Sequence, residues 1–120
     1  MRTKADDTTT ARGREAEERA ARHLACHGLR VVARNFRVRG GEIDLICRDG
    51  QVLVFVEVRQ RSRSDFGGAA ASITTRKQRR IILAAQHYLT GQPASDCRFD
   101  CVLIDGERLA WLKNAFSADA

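Results

Sequence analysis

A chain of 120 residues, 43% hydrophobic and 30% charged, has room for one domain with a buried core. Its 21 Lys and Arg against 15 Asp and Glu give a formal charge of +6, which favours a polyanionic partner. The opening, Met1 to Thr10, is polar, and no stretch approaches the roughly 18 apolar residues of a membrane span, so a cytoplasmic protein with no membrane partner is expected.

Residues 1–11 are rich in Thr and charge and read as a flexible tail; residues 12–116 read as one domain and residues 117–120 as a second tail. A helix fits from Gly13 to His27, with Ala20, Ala21 and Leu24 on one stripe and Gly28 as its stop. Leu29 to Val38 reads as a strand, broken at Gly40-Gly41. Glu42 to Arg48 and Val52 to Gln60 read as two more strands, joined by a hairpin at Asp49-Gly50. Arg61 to Thr74 is polar and reads as a loop. Thr75 to Gln78 fits a capping box that opens a second helix, with Ile81, Ala84, Ala85 and Tyr88 as its apolar stripe and Gly91 as its end. Arg98 to Ile104 is a fourth strand, and Asp105-Gly106 turns into a short fifth, Leu109 to Leu112. The order α-β-β-β-α-β-β predicts an α/β fold with a mixed sheet flanked by helices.

A two-residue loop at Asp49-Gly50 pairs Arg48 with Gln51, which sets Glu42 opposite Glu57 and makes Asp44 a diagonal neighbour of Glu57. One hairpin face then carries Ile43, Leu45, Cys47, Val52, Val54, Val56 and Val58, an apolar set that predicts core. The other carries Glu42, Asp44, Ile46, Leu53, Phe55, Glu57 and Arg59. Diagonal pairs stand roughly 7 to 8 Å apart, within reach of one shared ion. Acids gathered on a half-buried face repel one another, and a hard divalent ion such as Mg²⁺ or Mn²⁺ would relieve them. A solvated polar face on an edge hairpin would show the same acids, although Ile46, Leu53 and Phe55 among them require cover. Glu17 shares the helical stripe of Ala20, Ala21 and Leu24, so it either approaches the sheet or merely favours the helix N-terminus.

Between Arg59 and Arg80 the sequence places seven bases (Arg59, Arg61, Arg63, Arg76, Lys77, Arg79 and Arg80) against the single acid Asp65. Bases at a helix start oppose the macrodipole, and a phosphate backbone would satisfy both bases and helix amides; a solvated helix end is the plainer alternative. Phe66 is the one aromatic there, so backbone contact fits better than base stacking. Cys26, Cys47, Cys97 and Cys101 form no C-x-x-C pair and read as free thiols, and His23, His27 and His87 as ordinary helix histidines.

The runs G-G-E-I-D-L-I (Gly40 to Ile46) and V-F-V-E-V-R-Q-R (Val54 to Arg61), followed by F-G, T-x-x-K-Q-R-R and R-F-D (Arg98 to Asp100), resemble the YraN family of uncharacterised bacterial proteins from about Gly13 to Phe116. That family is similar in fold to restriction-endonuclease-like PD-(D/E)xK nucleases and to archaeal Holliday junction resolvases. The resemblance implies a nuclease site in which Asp44 and Glu57 bind metal, with Glu17 as the helix glutamate and Arg59 where the motif has lysine. It implies a Mg²⁺- or Mn²⁺-dependent endonuclease acting on branched or otherwise structured DNA, and a symmetric homodimer. Ile43 stands where proline is common, and Arg59 stays charged and is a poor base, which bears on turnover more than on binding. Three functions are therefore open. One is a metal-dependent nuclease or nuclease-like DNA-processing protein with catalytic Asp44, Glu57, Arg59 and Glu17, metal ligands Asp44, Glu57, Glu17 and Glu42, and Arg61, Arg63, Arg76, Lys77, Arg79 and Arg80 on phosphates. The second is a non-catalytic nucleic-acid-binding module with a degenerate site. The third is a scaffold for an acidic protein.

Overall fold

The computed structural model describes the backbone of residues 4–60 and 73–118, and side chains from Gly13 onward within those ranges. The chain runs α1 (Lys4–Cys26), β1 (Arg30–Val38), β2 (Gly41–Asp49), β3 (Val52–Gln60), α2 (Thr75–Leu89), β4 (Cys97–Asp105) and β5 (Arg108–Phe116). The α-β-β-β-α-β-β order and the mixed sheet agree with the sequence reading. Two extents differ. The first helix begins at Lys4 rather than Gly13, so most of the segment read as a loose tail is helical. The fifth strand continues past Leu112 to Phe116.

The five strands lie side by side in chain order. Three pairs are antiparallel, and β3 and β4 are parallel because α2 crosses between them. As the central strand, β3 is covered on both faces, which explains its near-continuous run Leu53-Val54-Phe55-Val56. One face packs Leu45, Cys47, Val54, Val56, Val102 and Ile104 against Ala16, Ala20, Ala21 and Leu24 of α1. The other packs Ile46, Leu53, Phe55 and Phe99 against Ile81, Ala84 and Ala85 of α2. The helix stripes expected from periodicity are the ones buried.

Gly41 lets α2 lie close to β2. A Cβ there would come within 2.5 Å of the Arg80 carbonyl and 3.1 Å of the Ala84 amide nitrogen. The helix itself is capped one residue earlier than the sequence suggested. Thr74, not Thr75, is the N-cap, and its Oγ1 accepts from the Lys77 amide at 3.1 Å. Gln78 lies one position too late to complete a capping box, and its Nε2 donates instead to the Ile73 carbonyl at 3.0 Å.

The hairpin register also differs from the expected one. Asp49 pairs with Val52 and Arg48 with Leu53, so the two-residue loop is Gly50-Gln51. Gly50 takes φ +62° at the first loop position, the place a type II′ turn reserves for glycine. Moving the loop by one residue moves each partner by two, so the faces survive while the neighbours change. Glu42 is not opposite Glu57; it pairs in register with Arg37 of β1.

Candidate active site

The ladder between β2 and β3 ends at the Leu45–Val56 pair. The next residues outward, Asp44 and Glu57, stand at the mouth where the strands part. Asp44 Oδ2 accepts from the Val58 amide at 2.8 Å, so a side-chain carboxylate meets a main-chain donor of β3. Arg34 and Phe36 of β1 pair with Leu45 and Ile43, which brings Asn35 opposite Asp44. Asn35 adopts φ +50°, a conformation that asparagine tolerates better than most residues. Both strands therefore deviate at one level. Beyond it Ile43 packs with the α2 cluster, not with Leu45 and Cys47 on the α1 face where strict alternation placed it.

Glu57 is the notable burial. At 5% exposure on the central strand it is nearly as covered as its apolar neighbours. An isolated carboxylate there would be costly, and three groups compensate it. Lys77 Nζ of α2 donates to Glu57 Oε2 at 3.0 Å. Arg59 Nη1 lies 3.8 Å from the same oxygen. Asp44 shares a side-chain hydrogen bond with it. Burial pushes the Asp44 carboxyl up to about 8, helped by the Glu57 charge and hydrogen bond and by the Glu17 charge, against the opposing Val58 amide. The Asp44 carboxyl therefore keeps its proton far above the usual carboxylate range.

The remaining predicted site residues fall at different distances from this pair. Glu17 reaches towards the sheet from α1: its charge acts on Asp44, and its Oε1 accepts from Asn35 Nδ2 at 3.2 Å. Glu42 pairs with Arg37 at 3.6 Å on an exposed part of β1–β2. Arg76, Arg79 and Arg80 lie on the first turns of α2, where no acid accompanies them. Arg61 and Arg63 fall outside the described residues. Among the described residues no group of three or more His, Cys, Asp or Glu is gathered closely enough to hold a metal ion. What the structure brings together is a two-carboxylate pair, with Glu17 behind Asn35 as an outer acid.

That donor set fits a hard divalent ion. Mg²⁺ is commonly held by one or two carboxylates, with water and substrate phosphate oxygens filling the rest of its sphere.

Sequence reasoning missed two participants. Lys77 was grouped with the phosphate-tracking bases, although it sits at the third helical position, where a cation opposes the dipole and therefore calls for an acidic partner. Asn35 gave no signal, because a left-handed residue inside a strand is invisible to alternation.

A second polar cluster centres on β4 one residue before Cys101, the ladder partner of Glu57. Asp100, fully buried, accepts from Arg98 Nε at 3.0 Å, Trp111 Nε1 at 3.0 Å and the Asn114 amide at 2.9 Å. Arg98 Nη1 also reaches Asp49 Oδ2 at 2.9 Å. Burial alone would weaken the Arg98 charge, and the hydrogen bonds to Asp100 and Asp49 outweigh it. Asp100 stands opposite three residues of β5, because Phe99 pairs with Phe116 while Cys101 pairs with Leu112. The R-F-D motif thus pins a bulge and the hairpin end together.

The same residues carry the relationship to known proteins. The model of the uncharacterised protein family UPF0102 matches residues 16–104, spanning both acids, α2 and the R-F-D motif. The chain belongs to this family. A UPF0102 protein of Dechloromonas aromatica is 80% identical over 119 residues, 99% of each chain. Relatives from Cupriavidus taiwanensis and Ralstonia pickettii are 60% and 53% identical, covering 92% and 93% of this chain and 86% and 94% of their own. Among the described residues no helix is long and apolar enough to cross a membrane.

Proposed function

We propose that this protein is a metal-dependent nuclease acting on structured DNA, with Asp44 and Glu57 as its metal-holding carboxylates. One observation carries the reading: two acids from adjacent strands meet at the splayed end of a hairpin, one of them buried to 5% exposure. A buried acidic pair is a poor device for stability, since apolar residues of similar size would serve better there. Such pairs concentrate at functional sites.

Asp44 and Glu57 would hold Mg²⁺ or Mn²⁺, which when bound supplies Lewis acidity at the phosphodiester and lowers the pKa of water beside it. The Val58 amide fixes the Asp44 carboxylate, and Asn35 ties Glu17 to the β1 side of the site. Arg59, at 28% side-chain exposure, is near enough to face a phosphate as well as Glu57. The bases of α2 stand next to the pair through Lys77, so a bound DNA backbone would run from that helix start past the acids. Arg61 and Arg63 are proposed to extend this track, and a homodimer would present two such sites to a branched substrate.

The test is cleavage of branched and linear DNA with Mg²⁺ or Mn²⁺. Nicking that Asp44→Asn and Glu57→Gln abolish, with DNA affinity retained, supports the reading. Binding with a steep salt slope but no cleavage under any divalent metal overturns it and favours the degenerate-site module, which the permanently charged Arg59 already suits. Binding to neither DNA nor RNA leaves the acidic-protein scaffold.

A further inference from the structure

We propose that Lys77 belongs to the reaction site and not to the phosphate-tracking face: its ammonium, bonded to Glu57, is the cation that meets the charge developing on the scissile phosphate. This deepens the nuclease reading and rests on it.

Position separates Lys77 from its basic neighbours. Its Nζ donates to Glu57 Oε2 at 3.0 Å, whereas Arg59 approaches the same oxygen only to 3.8 Å. Among the described residues it is the base of α2 for which the structure gives a carboxylate partner. The main chain beneath Lys77 is fixed. Its amide is held by Thr74 Oγ1, and the next residue, Gln78, is tied to the carbonyl of Ile73. Ile73 is itself buried, at 4% exposure, against Cys101 and Leu103. Cys101 is the β4 partner of Glu57 in the parallel ladder. The helix start and the acid are therefore anchored to the same strand, and the ammonium reaches the pair from a clamped base.

Charge points the same way. A lysine in the first turn of a helix works against the macrodipole. Here it is set against a buried carboxylate on the central strand. A fixed cation beside developing phosphate charge is what electrostatic catalysis of phosphoryl transfer requires. Lys77 keeps 46% side-chain exposure, so the ammonium stays open to solvent while it is bonded to Glu57.

The experiment compares Lys77→Met and Lys77→Arg with Arg76→Ala and Arg79→Ala in three measurements: metal-free DNA binding, single-turnover cleavage at saturating DNA with Mn²⁺, and Mn²⁺ affinity by calorimetry without DNA. Lys77→Met is expected to slow cleavage by about 100-fold or more, the usual loss for one transition-state donor. Lys77→Arg should recover part of that rate. DNA affinity should hold to within about twofold in Lys77→Met, whereas Arg76→Ala and Arg79→Ala should weaken binding and lower the salt slope by about 1 each. Mn²⁺ should bind Lys77→Met about tenfold more tightly, because a like charge a few ångströms away has gone.

Lys77→Met that cleaves at the wild-type rate while losing DNA affinity in step with the arginine variants overturns the proposal. If the wild-type protein cleaves nothing, the nuclease reading fails by itself and the Mn²⁺ titration decides the placement of Lys77. Tighter Mn²⁺ binding by Lys77→Met keeps the ammonium at the pair. Unchanged affinity, or no Mn²⁺ binding by either protein, removes it. Lys77→Gln replaces Lys77→Met if melting shows that the latter folds poorly.

Discussion

In the metal-free protein, raising the pH from 5 to 8 should destabilise the fold through Asp44. The folded-state carboxyl is raised to about 8 from an ordinary value of 3.8. Across that window the folded chain holds a proton that the unfolded chain has released. Stability is therefore complete below the lower value and is lost as pH climbs towards the upper one. One proton gives a ceiling of about 1.4 kcal/mol per pH unit. For a domain of this size that is on the order of 3 to 6 °C in Tm per unit. Asp44→Asn isolates the effect: the amide oxygen can still accept from Val58, its NH₂ can donate to Glu57, and there is no proton to lose. The assay is thermal melting of both proteins across the range in a chelating buffer, read as the wild-type Tm minus the Asp44→Asn Tm. This difference should fall steadily with pH. Millimolar Mg²⁺ or Mn²⁺ should restore the wild-type Tm at pH 8 and leave Asp44→Asn unmoved, because a cation takes the place of the Asp44 proton. A difference that stays flat or rises between pH 5 and 8 would refute the raised Asp44 carboxyl.

Asp100→Ala should destabilise by about 3 to 5 kcal/mol in urea unfolding, because it leaves Arg98 Nε, the Trp111 indole N–H and the Asn114 amide without their acceptor. Gly41→Ala should cost about 1 to 3 kcal/mol by the same assay, since the added methyl meets the Arg80 carbonyl of α2 and the helix must retreat. Of the four cysteines, Cys26 and Cys97 should react rapidly with a thiol reagent in the native state. Cys47 and Cys101, buried and pushed up to about 11 and about 12, should react only on unfolding. Rapid labelling of all four would contradict the packing of β2 and β4.

Much of this protein was legible in its sequence because burial has a period. The helical stripe of Ala20, Ala21 and Leu24 and the alternation from Leu45 to Val56 fix which atoms avoid water, and the order of elements follows. The placement of Asp44 and Glu57 on one side also survived a misplaced turn, since the loop moved each partner by two residues and parity is insensitive to that shift. The tertiary structure alone decided the rest. Only assembled strands reveal that β2 and β3 part beyond Leu45, that Asn35 takes a left-handed conformation opposite Asp44, and that Ile43 changes face there. Local hydrogen bonding and strand twist, rather than hydrophobicity, determine those features. Lys77 is the clearest case. Its sequence neighbours make it one base among several, and only the approach of α2 across Gly41, with Ile73 buried on β4, brings its ammonium to a buried acid 20 positions earlier in the chain. Electrostatic partners so far apart in sequence are set by packing, which no local pattern records.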